Sequence, residues 1–214
     1  MKYTTSVLLA LACGSVAHAA NLLTFDGGTT ASTINSYLTA SYTAPNTGQA
    51  DINFTDSYYV DAASVGATMS SSDIYVSFTV TAQNLGATET IDINSTSFDY
   101  NTFDLVDPFF GNVSMYVDSG SGYGAAVASA TGVENTGSAY YFSTLSDATS
   151  YSLSNGDSLT FGFSFEDASG SSARIHMIDD FTLDGNVNLV PEPTSAALLG
   201  LGGLALLTRR SRRS

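Results

Sequence analysis

The chain has 214 residues and a formal net charge of −14, from 6 Lys+Arg against 20 Asp+Glu. A single cysteine excludes an internal disulfide framework, and the scarcity of cations excludes the phosphate-reading surfaces of nucleic-acid-binding proteins. The 43% hydrophobic fraction, with Phe, Tyr, Ile, Val and Leu in patterned runs, argues for a folded core rather than disorder.

At the N-terminus, Lys2 precedes a short apolar stretch, Ser6 to Ala12, and Ala17-His18-Ala19 supplies a small-x-small site. Residues 1–19 are expected to be a helical signal peptide, with signal peptidase cutting after Ala19. Cys13 leaves with them, so the exported chain carries no thiol. Residues 20–189 suit one domain with a full hydrophobic core. They hold nineteen of the acids and, in Arg174, a single base.

Within that domain the patterning has period two. Ile74, Val76, Phe78 and Val80 alternate with polar neighbours, and so do Leu159, Phe161, Phe163 and Phe165. Shorter runs of the same kind are Leu22 to Phe25, Ile52 to Phe54, Glu89 to Asn94, Phe98 to Phe103, Asn112 to Val117, Ala139 to Phe142, Ala173 to Ile178 and Phe181 to Leu189. Turn signals fall between them at Asp26-Gly27-Gly28, Asn46-Thr47-Gly48, Ser119-Gly120-Ser121-Gly122, Asn135-Thr136-Gly137, Ser154-Asn155-Gly156-Asp157 and Asp184-Gly185. Thr30 to Ala40 alone has helical spacing, through Ile34 and Leu38, and its threonines and serines weaken it. Many short strands with almost no helix predict an all-β fold, an antiparallel β-sandwich of jelly-roll type. The lack of an internal repeat argues against a propeller or β-helix.

Few residues suggest chemistry. His176 is the one histidine left after signal removal, so a histidine zinc cluster cannot form within the chain, and no Gly-x-Ser-x-Gly elbow frames a serine. A glycosidase needs two facing carboxylates. Asp179-Asp180 and Glu166-Asp167 are sequence neighbours, which strand alternation would send to opposite faces. Asp99, Tyr100, Asp104 and Asp107, interleaved with Phe103, Phe109 and Phe110, form the candidate ligand site, since carboxylates beside aromatics suit sugar recognition. Ice binding would call for a flat array of regularly spaced threonines, and Thr79-Val80-Thr81 occurs once and does not repeat.

The C-terminus reads Val190-Pro191-Glu192-Pro193, then uncharged residues from Thr194 to Thr208, then Arg209, Arg210, Arg212 and Arg213. As a helix the uncharged run spans roughly 22 Å against a bilayer core of about 30 Å, a mismatch that snorkelling arginines and local thinning can absorb. The arginines place this end on the cytoplasmic side. Residues 190–214 resemble a PEP-CTERM sorting tail. The resemblance implies recognition by an exosortase, removal of the short transmembrane helix near Pro191, and a bacterial surface or exopolysaccharide-matrix destination. It is silent on the activity of the domain it carries.

A second resemblance covers Ala173 to Gly185. Its isoleucine-aspartate-aspartate step is similar to the closing strand of carbohydrate-binding, galactose-binding-like jelly rolls. That resemblance implies a structural calcium tying the first and last strands together, with Asp26 and Asp179 as its ligands. The expectation is therefore an exported, non-enzymatic surface or matrix protein, membrane-anchored until its tail is processed, with exopolysaccharide as candidate ligand. Two alternatives stand beside it: a small jelly-roll polysaccharide hydrolase or lyase, and a structural protein whose acidic surfaces are bridged by calcium.

Overall fold

A computed structural model describes residues 16–27, 30–43, 50–54, 57–61, 69–104, 109–135, 143–166 and 174–189. Thirteen strands run in the order β1 (Val16–Phe25), β2 (Thr33–Ile34), β3 (Leu38–Thr43), β4 (Ala50–Phe54), β5 (Ser57–Asp61), β6 (Val76–Ala82), β7 (Thr90–Asp104), β8 (Phe109–Asp118), β9 (Ala126–Asn135), β10 (Ser143–Asp147), β11 (Tyr151–Leu153), β12 (Ser158–Glu166) and β13 (Arg174–Leu189). Among the described residues no helix is long and apolar enough to cross a membrane. The sorting tail, Val190 to Ser214, and the first fifteen residues lie outside the described residues. The expected signal cleavage after Ala19 falls inside β1; it would leave Ala20 to Phe25 paired with Gly185 to Phe181 of β13.

The strands form two antiparallel sheets. One has eight strands ordered β10-β7-β13-β1-β2, with β11 on β7 and the β4–β5 pair on β13; the other is ordered β3-β6-β12-β8-β9. Alternation explains why they face each other. Val76, Phe78, Val80, Phe161, Phe163 and Phe165 of one sheet and Phe25, Phe98, Ile178, Phe181 and Leu183 of the other are all fully buried in one cluster. Phe78 lies at its centre. Its ring stacks on Phe181 across the sheets at 4.4 Å and 5°, and sits 4.8 Å from Phe25 and 5.0 Å from Tyr58.

Three readings of the sequence change in the structure. The two halves expected at Glu89 to Asn94 and Phe98 to Phe103 are one strand, β7, and those at Ala173 to Ile178 and Phe181 to Leu189 are one strand, β13. Asp184-Gly185 is accordingly an irregularity inside β13 rather than a turn. Gly185 is required there, because a side chain would run into the Asp92 carbonyl oxygen and Leu22. The helical spacing of Thr30 to Ala40 gives no helix. Asn35 instead turns the chain, accepting from the Tyr37 amide through Oδ1 at 3.0 Å, which leaves Ile34 43% exposed and Leu38 buried in β3. The strand expected at Ala139 to Phe142 falls outside the described residues.

Phe78 joins five aromatic partners, so truncating it opens a cavity that both sheets line. Phe78→Ala should lower unfolding free energy by about 3–5 kcal/mol, against about 1 kcal/mol or less for Thr160→Val on the outer face. Denaturant titration measures both, and equal losses would show that the inter-sheet ring packing does not dominate.

Candidate functional site

Along one edge β13 pairs first with β5, through Ile175 to Ile178, and then with β1, through Phe181 to Leu189. Between these partners its register slips, and Asp180 adopts a left-handed backbone with φ 46°. β1 ends at this level, and Asp26 follows Phe25. Carboxylate oxygens of Asp26, Asp179 and Asp180 therefore converge within 4.8 Å of one another. The rule of opposite faces, which would separate Asp179 from Asp180, is overturned by the bulge: the extra residue rotates the backbone, and the Asp180 amide donates to Asp179 Oδ1 at 2.9 Å.

Desolvation, then the charges of Asp26 and Asp99, push the Asp180 carboxyl above the usual range. Burial first, then Tyr42, Asp179 and Asp26, push the Tyr58 phenol well above its ordinary value. Such repulsion is what a hard cation relieves. Oxygens on a shared calcium sit at about 2.3–2.6 Å from it, hence at most about 5 Å apart, and the trio meets that limit. Asp26, Asp179 and Asp180 could supply three of the six to eight oxygens such an ion takes, and carbonyls and water the rest.

The expected ligand site is not assembled as read. Asp99 lies partly exposed on the outer face of β7, but Tyr100 points the other way and is fully buried. Its hydroxyl meets His176 Nδ1 at 2.9 Å, and both rings pack with Phe165. This tyrosine–histidine pair belongs to the core and is closed to a sugar. Asp104 sits in β7 in register with Arg174 of β13, and Asp107 lies outside the described residues.

A different surface gathers polar groups on the outer face of the five-stranded sheet. Strand register lines up Thr39–Thr81–Ser158, then Ser41–Thr79–Thr160–Asp118, then Thr43–Ser77–Gly162–Tyr116. Neighbours stand about 4.8 Å apart across strands and about 6.7 Å apart along them. Thr79 and Thr160 hydroxyls meet at 2.9 Å, and those of Thr81 and Ser158 at 2.7 Å. Each hydroxyl has one donor and two acceptor sites, so pairing leaves capacity for a ligand.

Two features bound these rows. The Asp118 carboxylate accepts the amides of Gly120 at 2.7 Å and Gly122 at 2.8 Å, and both glycines have φ values, 102° and 92°, that side chains disfavour. That loop carries Tyr123, whose hydroxyl-bearing edge rests over Gly162, where an added Cβ would lie 2.7 Å from the ring. Burial and Asp118 raise the Tyr123 phenol above its ordinary value. At the other end Ser114 and Ser164 are covered, donating to Met69 Sδ and accepting from the Ser70 amide. Sequence reading missed this surface because the repeat runs across strands rather than along the chain. The alternating Thr and Ser of β3, β6 and β12 were its visible trace.

No family model matches the chain, and no curated protein matches it. Among solved structures it is similar to the CBM22-1 xylan-binding domain of Paenibacillus barcinonensis Xyn10C, at 15% identity and TM-score 0.32 over 80% of this chain and 96% of that one. It is also similar to the CBM22-1–GH10 modules of Clostridium thermocellum xylanase 10B complexed with xylohexaose, at 16% identity and TM-score 0.30, spanning only 28% of that chain. The tandem CBM22 domains of Paenibacillus barcinonensis Xyn10C match at 16% identity and TM-score 0.30, over 49% of their length. Superpositions this loose transfer neither residues nor ligands.

The aspartate trio fixes the sign of a pH effect. A carboxyl whose folded pKa is raised binds more protons folded than unfolded, so stability falls as pH rises from the ordinary carboxylate range through the raised value. In chelator, Asp180→Asn should therefore have a higher thermal midpoint than the parent chain at pH 7 and lose that advantage near pH 3. Calcium should raise the parent's midpoint and not the variant's. A midpoint indifferent to both substitution and calcium would remove the cation reading.

Proposed function

We propose that this chain is an exported, non-enzymatic bacterial surface or matrix protein whose sandwich, of jelly-roll type, binds neutral polysaccharide through the outer face of its five-stranded sheet. One observation carries the ligand reading: rows of hydroxyls on Thr39, Ser41, Thr79, Thr81, Ser158 and Thr160, bounded by Asp118 and Tyr123. A neutral polyol exchanges hydrogen bonds with hydroxyls in both directions, and the carboxylate adds an acceptor stronger than water. The strongly acidic domain repels uronate-rich or sulfated polymers, which favours uncharged ones.

Sorting through the C-terminal tail is supported by the order Pro191-Glu192-Pro193, apolar run and Arg209, Arg210, Arg212 and Arg213. In this reading exosortase cuts near Pro191, and the aspartate trio, loaded with calcium, braces β1 against β13. The non-enzymatic part rests on Tyr100 and His176 being locked in the core and on the cation-like spacing of the trio.

Thr79→Val and Thr160→Val each remove one hydroxyl while keeping shape. Each should weaken binding to a neutral xylan or glucan by about five- to tenfold, the worth of one hydrogen bond. Affinity electrophoresis with the thermal midpoint as control reads this. Mobility no different from that of an unrelated acidic protein would remove the polysaccharide reading.

Intact mass from native cells tests the sorting half separately. A product ending near Pro191 is expected in cells with exosortase, and the longer chain, retained in the membrane, in cells without it. Retention of the tail in both would make this an ordinary anchored protein.

A further inference from the structure

The opposite, eight-stranded sheet carries a groove of about 440 Å³ lined by Ala20, Asn21, Asn94, Asp184 and Gly185. This volume falls within the roughly 300–1,000 Å³ of small-molecule sites. It arises from two irregularities at one level. β1 slips register between Asn21 and Leu23, and β7 carries Asn94 as an extra residue against the Asp184–Gly185 step of β13. The first slip turns Leu22 inward beside Leu23, where both are fully buried, and the second leaves Asn94 exposed. Gly185 permits the Asp92 carbonyl to come close beneath it.

The polar groups at this groove are available. Among the described residues, Asn94 and Asp184 use no side-chain atom in a hydrogen bond. Asn21 commits only its Nδ2, to Thr24 Oγ1 at 2.9 Å, and keeps Oδ1. Lower on the same face the equivalent groups are consumed: Asn188 donates to Asp92 at 2.6 Å, and Ser152 donates to it at 2.6 Å. Two carboxamides and a carboxylate around a small apolar floor offer donors and acceptors to vicinal hydroxyls. One carboxylate is not the pair that glycoside hydrolysis needs.

We propose that this groove is a second saccharide site, taking a single pyranose unit of a neutral glycan, with Asp184 accepting from adjacent hydroxyls and Asn21 and Asn94 fixing its orientation. Bivalency rests on the proposed hydroxyl face: with it, one domain has a site on each outer face of the sandwich. Bivalent binding cross-links chains, which a matrix protein exploits through effective concentration rather than through tight single sites.

The test is a nitrogen-15 NMR titration of the exported chain, which begins at Ala20 and so brings a terminal ammonium to the groove, with glucose, galactose and xylose, each added alone, following the side-chain amides of Asn21 and Asn94. Saturable shifts are expected with at least one sugar, persisting in the Thr79→Val/Thr160→Val double variant and weakened about tenfold by Asp184→Asn. Shifts confined to backbone signals of Thr79 and Thr160 would overturn the groove and leave the hydroxyl face standing. Shifts at Asn21 and Asn94 alone would keep the groove and remove bivalency. Silence at both, or a response at the groove to calcium alone, would overturn this proposal.

Discussion

The ring of Phe181, stacked on Phe78 at 4.4 Å, sets the geometry of much else in the molecule. Ile178 and Phe181 are both fully buried on the inner face of β13, although they stand three residues apart. A regular strand cannot point both inward, because its side chains repeat every second residue. The chain resolves the conflict by inserting a residue, and Asp180 takes the left-handed conformation that the insertion demands. The convergence of Asp26, Asp179 and Asp180 is thus a consequence of core packing. Aromatic burial, worth several kcal/mol, outweighs the cost of one unusual backbone and of crowding three carboxylates.

That conflict was present in the sequence and went unread. Phe181 and Leu183 alternate with Thr182, and the odd spacing from Ile178 to Phe181 is the signature of a bulge. Leu22-Leu23 carries the same mark, two adjacent apolar residues that are both fully buried. The inward positions of β6 and β12 were legible outright, because large apolar residues alternate there without a break. β3, β9 and β10 were not, since Ser, Thr, Ala and Gly make up most of them and give periodicity little contrast, and β5 and β11, at five and three residues, are too short to show a pattern. The hydroxyl rows needed the pairing of β3, β6 and β12, three segments far apart in sequence, which no local pattern encodes. Tyr100 was misplaced for a related reason. An aromatic beside Asp99 suggests a sugar platform, but alternation sends the two to opposite faces, and His176 waits on the inner one.

Charge links the aspartate trio to the rest of the domain. Between residues 20 and 189 the sequence supplies one base, Arg174, for nineteen acids. Repulsion at a cluster can then be relieved in only two ways, by a proton or by a cation from solution. The raised pKa of Asp180 and the cation-like spacing of the trio are therefore two expressions of one deficit. At the pH of most surroundings protons are scarce, so divalent cations are the better neutraliser, and the trio that would hold one lies where β13 passes from one partner strand to the other. Occupancy would stiffen that junction, which lies directly beside Phe181. The hydroxyl face, bordered by Asp118, sits on the other sheet, so a neutral polymer bound there and a cation at the trio would not compete for the same ground.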